Sequence, residues 1–227
     1  MVLAFFKSSS DDGNFDHIVA SAVAMLADAR HSFDLATLAL LTDADPAAVA
    51  NDVRETDQRI NLAEQELRSE LIVHVSVQGT ADIGSVLGFT LLLKKIERIG
   101  DQAKNILDLA ENGITLTARD DIDDLLAERQ LLSELFVDAG VLLSNADPSE
   151  EAIAEYSDRA TEAMRKHQAT IDACMTSDLP GREVVPLAIY FRYLRRIAAN
   201  LVGVVRSSNE PLPTVDYLEG GTVDTED

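Results

Sequence analysis

Tryptophan is absent from this chain of 227 residues, and Phe and Tyr together contribute only 7 and 4. A core this poor in aromatics points away from a sandwich or barrel and toward helices packed through aliphatic seams, for which Ala and Leu are plentiful. The single cysteine, Cys174, excludes an internal disulfide and a cysteine-based zinc site. On a helix, such a residue reads as a small apolar side chain rather than a nucleophile. No apolar run approaches the roughly 18 residues a membrane span requires. The apolar patch from Val2 to Phe6 lacks the layout of a signal peptide, so the chain is read as cytoplasmic. No glycine-rich loop that would cradle phosphate is present, nor a Gly-x-Ser-x-Gly elbow. The four histidines, His17, His31, His74 and His167, are scattered and read as partly exposed helix residues. None lies in a Glu-x-x-His pair, which argues against a di-iron oxidase of the ferritin type. Basic residues are also scarce: 19 Lys and Arg against 40 Asp and Glu give a net charge of −21. That field repels nucleic acid and anionic membrane surfaces and suits cations or basic partner surfaces.

What is present is helical periodicity, and it occurs twice. The first helix is expected from about 15 to 41, with Val19, Val23, Leu26, Ala29, Phe33, Ala36 and Leu40 inward. Asp45 and Pro46 then supply an N-cap and first helical position for a second helix, 46 to about 77, burying Val49, Val53, Ile60, Leu67 and Leu71. A turn at 79–82, with Asp82 as N-cap, leads to a third helix ending at Asn112-Gly113. The plan then repeats. A fourth helix runs to about Ser144, and Asn145-Ala-Asp-Pro148 mirrors Asp43-Ala-Asp-Pro46 and opens a fifth, to about Thr176. A sixth starts near Pro186. Its Leu187, Tyr190, Leu194, Ile197, Leu201 and Val204 match Phe89, Leu92, Ile96, Ile99, Ala103 and Ile106 of the third at a constant offset. The expected fold is therefore all-α: tandem three-helix bundles of long antiparallel helices with spectrin-like up-down packing. The units are 14–115 and 116–207, between a loose segment 1–13 and an acidic, disordered tail 208–227.

The third helix carries the chemistry. Leu92, Ile96, Ile99, Ala103, Ile106 and Ala110 form a seam, and Glu97, Asp101 and Asn105 follow at i, i+4, i+8 on a stripe beside it. Two carboxylates four apart repel by about 0.2–0.5 kcal/mol, and Gly100 costs about 1 kcal/mol relative to Ala. A cation between the carboxylates, with Gly100 admitting a neighbouring helix, would offset both. A plainer reading has Lys94, Arg98 and Lys104 neutralise a solvated face.

The stretch Leu93-Lys-Lys-Ile-Glu-Arg-Ile-Gly-Asp-Gln-Ala-Lys-Asn-Ile106 resembles the "E-R-I-G-D-x-A-x-N-I" signature of the PhoU family of phosphate-uptake regulators. Val53 to Leu71 resembles that family's charged second helix, and the resemblance spans roughly 14–207. It implies a non-enzymatic regulator of phosphate transport and phosphate-responsive signalling. Such a protein docks on a phosphate ABC transporter, a sensor histidine kinase or both, reaches the membrane only through them, and is open to homodimerisation. It also implies that each unit carries two Glu/Asp-x-x-x-Asp motifs able to hold a metal cluster. Here the third-helix motif is intact as Glu97 and Asp101, while the second-helix motif becomes Asp57 and Asn61. Those four residues are the expected ligands of iron, zinc, manganese or magnesium, with Asn61 ligating weakly and without charge. In the second unit Arg195 and Ala199 replace Glu97 and Asp101, so ion pairs of Arg192, Arg195 and Arg196 with Glu155, Asp158 and Glu162 are expected in place of metal. The alternatives are a carboxylate-bridged metal enzyme on a helical bundle, a metal-free adaptor whose motif serves only packing, and an accessory protein of another anion transporter.

Overall fold

The computed structural model describes residues 12–78, 83–145 and 147–209. Among these it contains six helices: α1 Asp12–Leu41, α2 Pro46–Gln78, α3 Ile83–Glu111, α4 Ile122–Ser144, α5 Glu150–Met175 and α6 Gly181–Asn209. The fold is all-α. Residues 12 and 13, expected in the loose N-terminal segment, already belong to α1, and 208 and 209 close α6; the rest of both ends, and the turn with Asp82, lie outside the described residues. None of these helices is long and apolar enough to cross a membrane.

The helix ends follow local chemistry. The Asp45 carboxylate accepts from the Ala47 amide at 3.0 Å and so caps α2. Gly113 has φ +79°, and the amides of Gly113 and Ile114 bond to the carbonyls of Ala110 and Leu109, a Schellman ending for α3. The mirrored start of α5 differs. Its cap is Ser149, whose hydroxyl accepts from Ala152, so Pro148 stands before the helix and not in its first turn. α6 begins at Gly181, five residues before Pro186, near which its start is expected from the sequence.

α1, α3, α6 and α4 form a ring in which each packs on the next; α2 lies against α1 and α3, and α5 chiefly against α6. One hydrophobic cluster runs through both three-helix units. The six α3 residues from Phe89 to Ile106 that match α6, and all six of their α6 counterparts, are buried in it. α3 and α6 are antiparallel and close: a Cβ on Gly88 would stand 3.3 Å from the Ser207 carbonyl oxygen, and one on Gly203 would strike the Lys95 side chain. The α1–α4 contact is both apolar and polar. Phe33 packs on Phe136 with centroids 5.5 Å apart, while Arg129 of α4 donates to Asp34 at 2.8 Å and Thr37 at 3.3 Å.

Of the packed helix pairs α4 and α5 have the slightest contact, and polar contacts tie them: an ion pair of Arg159 with Asp138 at 2.7 Å and a hydrogen bond between His167 and Glu128 at 3.1 Å. His167 is fully buried, and so nearly is His74, whereas His17 and His31 are exposed; the expectation of four partly exposed histidines fails for two of them. Ala160, Ala163, Met164 and His167 form a seam, so His167 stands where spacing puts a core residue. The hydrogen bond from His167 holds the Glu128 carboxyl below its usual range; burial opposes this, and the charges of His167 and Lys166 add to it. A carboxyl with a depressed pKa stabilises the fold fully above the ordinary Glu range and stops doing so as pH falls through the depressed value. Glu128→Gln should therefore lower the melting temperature at neutral pH and cost progressively less below about pH 4, measured by thermal melts across that range.

Candidate functional site on the second and third helices

The α2–α3 seam brings the signature residues together. Gly100 is buried and faces α2: a Cβ there would lie 3.0 Å from Ile60 Cδ1, so the glycine admits the isoleucine as expected. Beside that contact Lys104 Nζ donates to Asp57 Oδ2 across the seam at 2.9 Å and approaches Asp101 Oδ1, one turn away on its own helix, at 3.4 Å. Lys94 pairs with Glu97 at 2.7 Å, again within α3. Asp57 and Glu97 are each only 14% exposed, and Asp101 is 44% exposed. Burial of the Lys104 ammonium works against its charge, but the Asp57 hydrogen bond and the Asp57 and Asp101 charges outweigh it and raise its pKa. Asn61 is half-buried one turn from Asp57.

This donor set does not fit a metal cluster. Among the described residues no three His, Cys, Asp or Glu side chains converge as a metal site would require. The position between Asp57 and Asp101 is taken by an ammonium, and Glu97 is engaged by Lys94. The four expected ligands thus lie on the expected helices, and three of them meet Lys94 or Lys104 of the same signature, two of the three largely withdrawn from water.

The expected ion pairs of the second unit are not formed. Among the described residues no ion pair joins Arg192, Arg195 or Arg196 to a carboxylate; all three are exposed on the outer face of α6. Of the three α5 acids, Glu162 pairs within its own helix, and the basic residues of α5 look to α5 and α4 rather than to α6. Arg159 turns to Glu134 and Asp138 of α4, and Arg165 takes Glu162. An exposed guanidinium loses nothing by staying in water, while holding two long side chains in register costs entropy.

Burial pushes the Cys174 thiol up, away from the thiolate. Burial likewise pushes the Tyr156 and Tyr190 hydroxyls up, far from any working pH. One feature did not emerge from the inward-facing periodicity. Ile72, Val73 and Val77 at the end of α2, and Ile83, Leu87 and Leu91 at the start of α3, expose their apolar side chains at one end of the first unit. The last three recur at i, i+4, i+8, a second stripe that was available in the sequence. His17 near the start of α1 comes within 3.9 Å of Glu70, which places the α1 N-terminus at this same end.

Residues 23–110 match the family model of the PhoU domain, covering most of α1, all of α2 and α3 up to its last residue. No curated protein matches the chain. Among solved structures, the crystal structure of PhoU from Pseudomonas aeruginosa is similar with a TM-score of 0.68 at 18% identity, covering 87% of this chain and 96% of that one. At that identity the likeness establishes a shared fold through both halves.

Proposed function

We propose, for a chain whose residues 23–110 match the PhoU domain and whose six helices share the PhoU fold, that it regulates phosphate homeostasis by docking and not by catalysis. Its partner is a phosphate ABC transporter, a sensor histidine kinase of phosphate signalling, or both. The observation that carries the docking reading is the apolar end of the α2–α3 hairpin. Ile72, Val73 and Val77 are 67%, 61% and 74% exposed in a chain of charge −21, where water-facing positions would favour charged groups. Glu66 is exposed and Glu70 partly so just before this end along α2, so the complementary partner surface is apolar at its centre and carries basic groups at its rim.

Titration of the purified chain against the detergent-solubilised transporter and, separately, the kinase tests the proposal. Val77→Glu and Leu87→Glu should each weaken binding by about tenfold or more, since a charge is buried in an apolar contact. Leu126→Glu, at the far end of the bundle, should leave it unchanged. Failure of the wild-type chain to bind either partner, or equal binding by all three variants, would overturn the proposal.

A further inference from the structure

The α2–α3 seam poses a physical problem whether or not a partner is present. Asp57 and Asp101 face one another from two helices, with Glu97 one turn along α3, and Asp57 and Glu97 are mostly withdrawn from water. Carboxylates brought together in this way need positive charge. A metal ion is one source, and the chain departs from the donor set for it by placing Asn61 where a second α2 acid would stand.

We propose that the ammonium of Lys104 is the resident cation of this seam, so that the signature motif of this protein is a metal-independent clamp joining α2 to α3.

The geometry supports it in two ways. Lys104 is the member of the cluster that spans both helices, 2.9 Å from Asp57 and 3.4 Å from Asp101, and the first of these is a charge-assisted hydrogen bond of ordinary length. Any divalent ion drawing on Asp57 and Asp101 together would have to expel that ammonium from the ground it already holds. The second support comes from the internal repeat, where the offset that pairs Ile96 with Leu194 and Ile99 with Ile197 also pairs Lys104 with Val202. Val202 is buried, and Glu97 and Asp101 have become Arg195 and Ala199. The lysine and the two acids are present together in one unit and absent together from the other, as parts of one device would be.

The inference does not rest on the docking reading, and its test involves no partner. The full chain, purified without chelator or affinity tag, is analysed for metal content and melted as prepared, with excess EDTA, and with excess Mn2+ or Zn2+. Well under one metal per chain and one melting temperature in all conditions are expected. Lys104→Met should then lower that temperature by about 3–6 °C, at the roughly 2–4 °C per kcal/mol typical of a chain this size. Asp57→Asn should lower it similarly. The double variant Asp57→Asn/Lys104→Met should fall short of the sum, because both single changes remove the same contact. Lys104 is about one-third exposed, so the methionine variant is expected to fold. About one metal per chain with a melting temperature that EDTA lowers would overturn the proposal, as would an unchanged melting temperature in Lys104→Met.

Discussion

Phe33→Ala is expected to lower the melting temperature of the whole chain by about 10 °C or more, in a single transition. Phe33 is fully buried in α1, and its ring meets Phe136 of α4, so it belongs to neither three-helix unit alone. Removing a buried phenyl costs about 3–5 kcal/mol in lost transfer and in the cavity left behind. At about 2–4 °C per kcal/mol for a protein of this length, the shift is large and easily read. The shape of the transition carries as much information as its midpoint. The core is one cluster extending through both units, so the loss should be felt by both at once. A variant that melts in two steps, with only one displaced, would show two separate domains in place of one shared core. Circular dichroism and calorimetry on the same samples would decide.

Gly88→Leu addresses the other contact between the units and should cost about 2–3 kcal/mol. Gly88 is buried in α3 against the Ser207 carbonyl of α6 at a projected 3.3 Å, and a backbone atom yields only if the helix moves. A leucine there has to separate α3 from α6. Gly88→Ala is the milder probe, since its crowding is set against a helix gain of about 1 kcal/mol. Gly140 is the internal control. It lies inside α4 with nothing within 4 Å of a Cβ, so Gly140→Ala should stabilise by about 0.5–1 kcal/mol. Chemical denaturation of the three variants separates helix propensity from interhelical fit. A Gly88→Leu protein as stable as the wild type would contradict the close α3–α6 packing.

The parts of this architecture that could be read from sequence are those that depend on period alone. The α3 seam and its copy in α6 are buried at every named position, because a 3.6-residue period assigns a face without reference to the neighbour. Gly113 and Asp45 could be placed as caps because a left-handed ending and a short carboxylate are local needs. Reading failed where the answer depended on the partner helix. Val19 and Val23 are only partly buried, and Ile18, Ala22 and Met25 take the inner face of early α1. Pattern alone sets the arginines of α6 beside the acids of α5, yet Arg192, Arg195 and Arg196 stand exposed while Glu162 pairs with Arg165 on its own helix. His167 and Glu128 form a buried polar contact between helices that periodicity can place inside but cannot pair. At the candidate site the sequence located the acids and Gly100 correctly on α2 and α3. It left two uses open for them, and Lys104 bridging to Asp57, 47 residues away, is a relation that no local spacing contains.

Phosphate uptake by cells of the source organism tests the account most directly, compared between the wild type, a strain lacking this chain, and that strain supplied with either the intact protein or Val77→Glu. A docking regulator predicts that uptake loses its adjustment to external phosphate when the chain is absent, that the intact protein restores it, and that Val77→Glu, though folded, does not. Uptake that follows external phosphate identically in all four strains would contradict the account.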